Sequence, residues 1–406
     1  RETALEVAKL YGASVVLGSA TPSLEAYYRA GRGEYRLFQL TKRLTGGELP
    51  TVYTVDLRQE LQEGNRSIFS RKLQELMTDR LNKGQQTILF LNRRGYAGFV
   101  SCRSCGEVMK CPHCDVSLSE HKGGRLICHY CGYTQPMPKL CPKCGSKYIL
   151  GFKAGTQQIE EKLKELYPGV RTLRMDADTT RTKDSYEKIL SSFANGEADV
   201  LIGTQMIVKG HDFPKVTLVG ILAADLSLNA SDYRAGERTF QLLTQAVGRA
   251  GRGVLPGEAV IQTYQPDHYA ITCAAAQDYE SFYQEEILYR ELSGYPPVAH
   301  MLAVQIYGKE EENVKQLALR LTDVVKSNMD FLSGKQKEQS NKKIQVLGPA
   351  PANISKINDI YRYVFYVKHA EYDVLVEVKD RLEETLRQWQ PRQMSIQFDF
   401  DPVSVL

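Results

Sequence analysis

Four Cys-x-x-Cys pairs hold eight of the nine cysteines of this 406-residue chain. They are Cys102/Cys105, Cys111/Cys114, Cys128/Cys131 and Cys141/Cys144. Glycine or proline beside most pairs permits the tight turn that brings two thiolates to one metal ion. Because a tetrahedral zinc site takes two such pairs, the four pairs predict two Zn²⁺ sites. The spacing leaves open whether the pairs combine sequentially or in nested order.

Two other interpretations of the cysteine cluster are weaker. A disulfide framework is typical of secreted proteins, and nothing in this sequence indicates secretion. Redox exchange does not need four pairs so close together. His113 and His129 lie inside the pairs, but eight thiolates already fill two sites, so we expect neither to bind zinc. All-cysteine sites leave no open coordination position, which predicts a structural role. Cys273 stands apart and is expected to be in the core.

A second group of residues is suited to phosphate. The segment TQAVGRAGRG at 244–253 places Gln245, Arg249 and Arg252 in the pattern Q-x-x-G-R-x-G-R. On a helix the two arginines would share one face, and the small residues beside them would allow close approach. The pattern favours a nucleotide phosphate as the target, although a lone R-x-x-R is more often a solvated helix face.

Two polar segments, GSATPS at 18–23 and GTQMIVKGHDFPKV at 203–216, follow predicted strands. The carboxyl ends of parallel strands carry the ligand-binding loops of an α/β sheet, so we expect these segments and the arginines there. The segment FLNRRGYAG also follows a strand and is either a DNA contact or a solvated turn. The candidate DNA contacts are Arg93, Arg94, Thr204, Gln205, Lys209 and His211.

Short apolar runs alternate with amphipathic segments between 41 and 265, which predicts one open parallel α/β sheet with the Cys-rich stretch inserted in it. SVVLGS at 14–19 predicts another buried strand. Residues 266–298 predict one or two linking helices that end near Gly294. From 299 to 406 the order strand, helix, strand, strand, helix, strand predicts a small α+β domain of the split βαβ type.

Composition is that of an ordinary globular protein, with 42% hydrophobic residues, 25% charged residues and a net charge of +4. Residues 101–150 hold seven Lys or Arg and three Asp or Glu, which suits a module that faces nucleic acid or a solvated basic surface. No apolar run is long enough to span a bilayer. We expect a cytoplasmic protein with no membrane partner. The sequence does not begin with Met, so we expect a fragment or a processed piece.

The motifs in this order resemble the superfamily 2 helicases and, more narrowly, the primosomal replication-restart DNA helicases of the PriA family. The resemblance rests on GSATPSLEAY, FLNRRGYA, the four Cys pairs, DADTT, GTQMIVKGHDFPKVTLV, SDYRAGERTFQLLTQAVGRAGR, YPP and LGPAPA. It implies two RecA-like lobes that clamp ATP with Mg²⁺. Arg252 would be the arginine finger, Arg249 its phosphate-binding neighbour and Gln245 part of the same motif. Gly210 and Asp212 would help to bind ATP.

The same resemblance implies a domain order and a zinc pairing. Cys102, Cys105, Cys141 and Cys144 would hold one zinc ion, and the four inner cysteines the other. The implied domains are the end of helicase lobe 1 (1–40), lobe 2 in two parts (41–100 and 151–265), the zinc insert (101–150), a helical linker (266–298) and the C-terminal domain (299–406). The implied partners are branched or single-stranded DNA, single-strand-binding protein and primosomal or helicase-loading proteins.

Two motifs of the superfamily are missing from this sequence. Neither the Walker A pattern G-x-x-x-x-G-K-[ST] nor D-E-x-H occurs, and the family has both upstream of GSATPS. Gln157 and Gln158 also stand where the family usually has an acidic–basic pair. We therefore expect the C-terminal part of an ATP-dependent helicase that hydrolyses ATP negligibly by itself. The alternatives are another superfamily 2 nucleic-acid translocase and a zinc-containing scaffold, without enzymatic activity, that binds DNA and proteins.

Overall fold

The computed structural model describes residues 1–40, 48–91, 100–113, 116–121, 124–128, 131–151, 155–176, 179–180, 183–208, 213–229, 232–327 and 343–403. The chain divides into two compact units, Arg1–Leu40 and Thr41–Leu406. No helix among these residues is long and apolar enough to cross a bilayer.

The first unit contains two helices, α1 (Glu2–Tyr11) and α2 (Leu24–Gly31). Ser23 caps α2, because its hydroxyl accepts the N–H of Ala26 at 3.3 Å. The predicted strand at 14–19 is wrong: this segment has no regular structure, and Val16 is 93% exposed. A strand needs a neighbour for its backbone hydrogen bonds, and no described strand pairs with this run.

A six-stranded parallel sheet forms the centre of the second unit, as the apolar runs predict. Its strands are β1 (Thr51–Asp56), β2 (Gln86–Phe90), β8 (Thr172–Met175), β9 (Val200–Gly203), β10 (Val216–Ile221) and β11 (Glu258–Thr263), with β3 to β7 in the insert. The order across the sheet is β1-β11-β10-β2-β9-β8, and every pair is parallel. The central strands β2 and β10 are buried along their whole length, which explains the apolar runs Ile88–Phe90 and Leu218–Ile221.

Helices cover this sheet where the amphipathic segments predict them. They are α3 (Leu57–Gln62), α4 (Arg71–Asn82), α5 (Thr156–Leu166), α6 (Lys183–Ala194), α7 (Asp225–Leu228) and α8 (Ala235–Val247). Helix α4 shows why: the Ser70 hydroxyl caps it by accepting the Leu73 N–H at 3.3 Å. Leu73 and Met77, four residues apart, are buried on its inner face.

The Cys-rich insert follows β2 and contains only short strands among its described residues. Strands β3 (Val100–Cys102) and β7 (Ile149–Gly151) pair antiparallel at its base. Strands β4 (Ser119–His121), β5 (Arg125–Ile127) and β6 (Thr134–Pro136) form a second small sheet. So few residues in regular structure leave the fold dependent on turns and on what binds the cysteines.

Two linking helices, α9 (Tyr269–Ala276) and α10 (Tyr279–Ser293), lead to an antiparallel sheet domain. Its elements are β12 (His300–Gly308), α11 (Glu311–Ser327), β13 (Gln345–Ile357), β14 (Ile360–His369), α12 (Tyr372–Trp389) and β15 (Met394–Phe400). The sheet order β13-β14-β12-β15 is that of a split βαβ fold. Helices α11 and α12 pack against one face of this sheet, in a core that includes Leu321, Phe365 and Leu382. The predicted fold of this region is confirmed.

Candidate zinc centres and arginine turn

Three of the four cysteine pairs adopt one backbone turn. Two backbone hydrogen bonds of 2.8–2.9 Å close each turn, as in the turn that begins at Cys102. There the N–H of Cys102 donates to the carbonyl of Glu107, and the N–H of Gly106 donates to the carbonyl of Cys102. The residue that donates back has a positive φ, and it is a glycine in all three turns: Gly106, Gly132 and Gly145. L-residues rarely adopt that conformation, so the sequence Cys-x-x-Cys-Gly fixes the turn locally.

The sulfur atoms of the described cysteines gather into two groups. One contains Cys102, Cys105, Cys141 and Cys144, and the other contains Cys111, Cys128 and Cys131, each within 4.8 Å of one another. This is the nested grouping that the resemblance implies. It follows from the pairing of β3 with β7, which brings the first and last cysteine pairs together. Cys114 lies outside the described residues. No histidine belongs to either group among the described residues, and His113 packs edge-on against Tyr133, with 5.6 Å between ring centres.

The spacing of these sulfur atoms fits zinc. The sulfurs of Cys102 and Cys144 are 3.7 Å apart, those of Cys105 and Cys141 are 3.6 Å apart, and those of Cys111 and Cys131 are 3.5 Å apart. Four sulfurs at about 2.3 Å from a tetrahedral zinc ion would be about 3.8 Å from one another. Each group therefore has the donor chemistry and nearly the size of a zinc–thiolate site.

The thiols of the first group differ in acidity. Burial raises the pKa of Cys105 to about 12. Burial also acts on Cys102, but the N–H groups of Cys105 and Ser104 outweigh it and lower the pKa of that thiol to about 7. A zinc ion would add a larger positive charge at the same place and hold every thiol deprotonated.

The insert shares its core with the rest of the second unit. Val100 and Leu126 of the insert belong to one hydrophobic cluster with Tyr233 before α8 and Met301 in β12. Arg103 also lies over the ring of Tyr264, 5.2 Å from its centre, and donates to its hydroxyl at 2.8 Å. The insert is therefore packed against both the parallel sheet and the C-terminal domain.

The predicted phosphate-binding arginines lie in a turn, not on a helix. Helix α8 ends at Val247, so the expectation that Arg249 and Arg252 share one helix face is wrong. Gly251 has φ of 68°, and a Cβ at this position would overlap the backbone nitrogen of Gly257. The helix ends at its C-cap Gly248, and the left-handed Gly251 then turns the chain beside Gly257.

This turn, residues 248–253, lies at the amino ends of the strands. Gly251 donates its N–H to Val216, the first residue of β10, at 3.0 Å, and Gly257 immediately precedes β11. The expectation that the arginines lie at the carboxyl ends is therefore wrong. A helix that connects parallel strands runs back along the sheet, so α8 delivers its last residues to the opposite edge.

The side chains of the arginine turn differ in exposure. Arg252 is exposed, and its Nε donates to the carbonyl of Gly248 at 2.8 Å. Arg249 is half-buried, and Gln245 is exposed in the last turn of α8. The bond to Gly248 anchors the guanidinium of an exposed side chain, whose charge suits an anion at the surface of the turn.

Two of the predicted DNA contacts, Thr204 and Gln205, directly follow β9 at the carboxyl edge of the sheet and are half-buried. A Cβ at Gly253 would overlap the carbonyl oxygen of Pro214, so the arginine turn packs against the segment that leads from these residues into β10. The remaining predicted nucleotide and DNA contacts lie outside the described residues: Arg93, Arg94, Lys209, Gly210, His211 and Asp212.

Separate parts of the chain match three protein families. Residues 140–254 match the helicase conserved C-terminal domain, residues 111–136 the Cys-rich region domain of PriA DNA helicase, and residues 291–403 the primosomal protein N C-terminal domain. The second match and the two sulfur groups together support zinc binding by the insert.

Whole-chain relatives carry one name. The replication restart protein PriA of Bacillus subtilis is 44% identical over 408 residues, which cover 100% of this chain and 49% of that protein. Its namesake from Synechocystis is 41% identical, with coverage of 100% and 48%. The chain belongs to the PriA family. It spans about half the length of these curated relatives. Within the PriA family, the six-stranded sheet and its helices are a RecA-like helicase lobe, which confirms the predicted fold class.

Sequence reasoning missed a buried carboxylate that joins the ends of two strands in this PriA-family lobe. Asp225 accepts the hydroxyl of Thr263 at 2.8 Å and the N–H of Tyr264 at 3.0 Å. Burial raises the pKa of this carboxyl group. Asp225 thereby holds Tyr264, the residue on which Arg103 lies. The available signal was an aspartate four residues after the end of an apolar strand, in the sequence LAAD.

Proposed function

We propose that this chain provides the second motor lobe, the zinc module and the C-terminal domain of an ATP-dependent DNA helicase that acts in replication restart. The observation that carries the proposal is the alignment of the whole chain, at 44% identity, with a replication restart protein. The helicase-type sheet and the PriA-type Cys-rich region support it independently of that name. The domain division given by the sequence is part of the same proposal.

On the nucleotide side, Arg252 acts as the arginine finger and Arg249 as its phosphate-binding neighbour, with Gln245 beside them. The exposed guanidinium of Arg252, anchored through Nε to Gly248, supports this role. An arginine so placed stabilises the charge that develops on the transferred phosphoryl group. Gly210 and Asp212 complete the contacts from this lobe, while ATP and Mg²⁺ are gripped by a segment that the resemblance places before residue 1.

On the nucleic-acid side, the lobe follows one strand of a branched or single-stranded DNA through its phosphates. Thr204 and Gln205 support this, because they end β9 at the carboxyl edge of the sheet, where hydroxyl and amide groups can reach a backbone. Contacts of this kind are tolerant of sequence and weaken as salt rises. Arg93, Arg94, Lys209 and His211 are the further proposed contacts.

The insert binds two structural Zn²⁺ ions. Cys102, Cys105, Cys141 and Cys144 hold one, and Cys111, Cys114, Cys128 and Cys131 hold the other. Single-strand-binding protein and helicase-loading proteins are the partners that the resemblance implies. Copurification of either with the chain, dependent on residues 299–406, would test that part of the proposal.

The decisive test measures ATP turnover with and without single-stranded DNA. The assay uses an extended protein, in which the segment with the Walker A and D-E-x-H motifs that the resemblance implies is joined to the amino end of this chain. We expect DNA to stimulate turnover, and Arg252→Ala to lower it by about 10³- to 10⁵-fold, as for other arginine fingers. Arg387→Ala is the matched control, since Arg387 is also exposed, at 82%, but lies in the C-terminal domain.

The outcomes separate the candidates. The 406-residue chain alone is expected to show no appreciable turnover, because the phosphate loop is not part of it. DNA binding by the extended protein without any ATP turnover would favour the scaffold instead. Equal turnover in Arg252→Ala and Arg387→Ala would overturn the assignment of the finger.

A further inference from the structure

A guanidinium group is completely buried between two helices of the second unit. Arg290 of α10 is 0% exposed. Its Nε donates to Oε1 of Glu286 at 2.8 Å, its Nη2 lies 3.1 Å from Oε2 of Glu237 in α8, and its Nη1 donates to the carbonyl of Pro296 at 2.7 Å. One side chain therefore connects α8, α10 and the segment that enters the C-terminal domain.

The cluster contains buried charges of both signs, with Arg234 and Lys368 also buried beside it. Two buried carboxylates, Glu237 and Glu286, share one guanidinium, and the hydroxyl of Tyr269 donates to Oε2 of Glu286 at 2.7 Å. A Cβ at Gly236 would approach that same oxygen to 2.5 Å, so α8 lies directly against the cluster. Buried ion pairs are seldom more stabilising than apolar residues of similar volume, but their hydrogen bonds fix one relative placement of the elements they join.

Aromatic rings extend the cluster into the C-terminal domain. Arg290 lies 4.8 Å from the ring centre of Tyr233, which stacks on Tyr295 with 4.6 Å between ring centres and 7° between planes. The ammonium group of Lys368 in β14 lies 3.9 Å from the ring centre of Tyr295 and donates to the carbonyl of Ser293 at 2.7 Å. The start of α8 is thus held by the antiparallel sheet domain.

The other end of α8 carries the arginine turn. The helix is continuous from Ala235 to Val247, and Gly248 begins the turn directly after it. Ten residues separate Glu237 from Val247, which is about 15 Å along a helix axis. A rigid helix of this length transmits a shift or rotation at Glu237 to the backbone of the turn.

We propose that Arg290 and Glu237 are positioning residues, which set the placement of α8 and so align the arginine turn, 248–253, with the state of the C-terminal domain. The role in catalysis depends on the proposed function of Arg252, whereas the mechanical link does not. Both residues act through the helix.

The link is tested by hydrogen exchange in the 406-residue chain. The amides of Arg249, Ala250 and Gly251 are all hydrogen-bonded, at 3.0–3.1 Å. We expect Glu237→Gln to speed their exchange by about tenfold or more, because an altered α8 opens these bonds more often. Glu285→Gln, an exposed carboxylate on α10, is the matched control and should leave them unchanged.

A triple variant separates positioning from stability. Glu237→Gln, Glu286→Gln and Arg290→Met together remove all three charges of the ion-paired group, so this protein should regain most of the lost thermal stability. We expect exchange in the turn to stay fast, since the directional contacts are gone. If the triple variant recovers both its melting temperature and slow exchange in the turn, the cluster is simple packing and the proposal is overturned. This variant also decides the matter if Glu237→Gln fails to fold.

Turnover by the extended protein gives the catalytic readout. Glu237→Gln should lower kcat for ATP by about tenfold and leave KM within about twofold, because a misplaced finger weakens the transition state more than substrate binding. Unchanged kcat together with faster exchange in the turn would refute the catalytic part. If Arg252→Ala leaves turnover unaffected while the exchange effect persists, the function assigned to Arg252 has failed and the mechanical link stands.

Discussion

The zinc insert and the arginine turn are both built on glycines with positive φ, yet they were predictable to different degrees. In the insert, each glycine follows a cysteine at fixed spacing, and the geometry depends on five or six consecutive residues. In the arginine turn, Gly251 is held by Gly257 and by β10, which are near only in the fold. The insert is determined by neighbours in sequence, and the arginine turn by neighbours in space.

The two regions also lie at opposite edges of the parallel sheet. The insert packs against Tyr264, just after β11, whereas the arginine turn precedes β11. Helix α8 runs between the two edges, and Tyr233, two residues before its start, belongs to the cluster that the insert shares with the C-terminal domain. The effect of a change in the insert on stability can therefore be compared with the effect of a change in the arginine turn.

The largest expected effect follows zinc removal. Structural zinc supplies an apparent ~10–16 kcal/mol in small domains, and the insert has little regular structure of its own. We predict that chelation, or Cys102→Ser, unfolds the insert before the parallel sheet. Because Met301 and Tyr366 share its core, the facing side of the C-terminal sheet should loosen as well. Zinc release and amide exchange in β12 and β14 measure this, and Cys273→Ser is the control. Release of zinc with unchanged exchange in those strands would contradict a shared core.

A smaller effect is expected in the arginine turn. Gly251→Ala adds a Cβ where φ is 68° and where it would overlap Gly257. Strain in the left-handed region and overpacking together suggest a loss of ~2–5 kcal/mol in the free energy of unfolding. Gly64→Ala, with φ of 90° but nothing within 4 Å, isolates the backbone term. Equal losses in the two variants, measured by denaturant titration, would show that the tight contact with Gly257 is not decisive.

The smallest effect concerns pH at the insert-facing edge. Burial, followed by the charge of Lys110, lowers the pKa of His268 to about 4. The neutral ring of His268 caps α9, because its Nδ1 accepts the N–H of Ala270 at 3.1 Å. The pKa of His268 is thus lower in the folded chain than its unfolded value near 6.5. The stabilisation from the neutral ring is therefore complete above about pH 6.5 and is lost as pH falls toward 4. The loss is at most about 3 kcal/mol.

His268→Asn keeps a helix-capping side chain but cannot titrate, so it should flatten the slope of unfolding free energy between pH 6.5 and 4. The difference between the chain and this variant at each pH removes the zinc contribution common to both. Parallel slopes would contradict a buried neutral histidine.

Apolar periodicity was sufficient for the six parallel strands, the helices between them and the βαββαβ order of the C-terminal domain, because these depend on burial of one face. It failed at 14–19, where an apolar run has no partner strand among the described residues. It also failed at the end of α8, since nothing in AVGRAG shows that the backbone of Gly257 lies beside Gly251. The pairing of Arg290 with Glu286, one helical turn away, is a local pattern, but its second partner, Glu237, is 53 positions away and could not be predicted for the same reason.

The position of Arg252 relative to a bound nucleotide tests most directly whether this residue is the arginine finger. A structure of the extended protein with ADP, beryllium fluoride and Mg²⁺ provides it. We predict a guanidinium nitrogen of Arg252 within about 3.2 Å of a fluoride that takes the place of a γ-phosphate oxygen. A guanidinium more than about 8 Å from that group and directed into solvent would be beyond the reach of any hydrogen bond, and Arg252 could not then be the arginine finger.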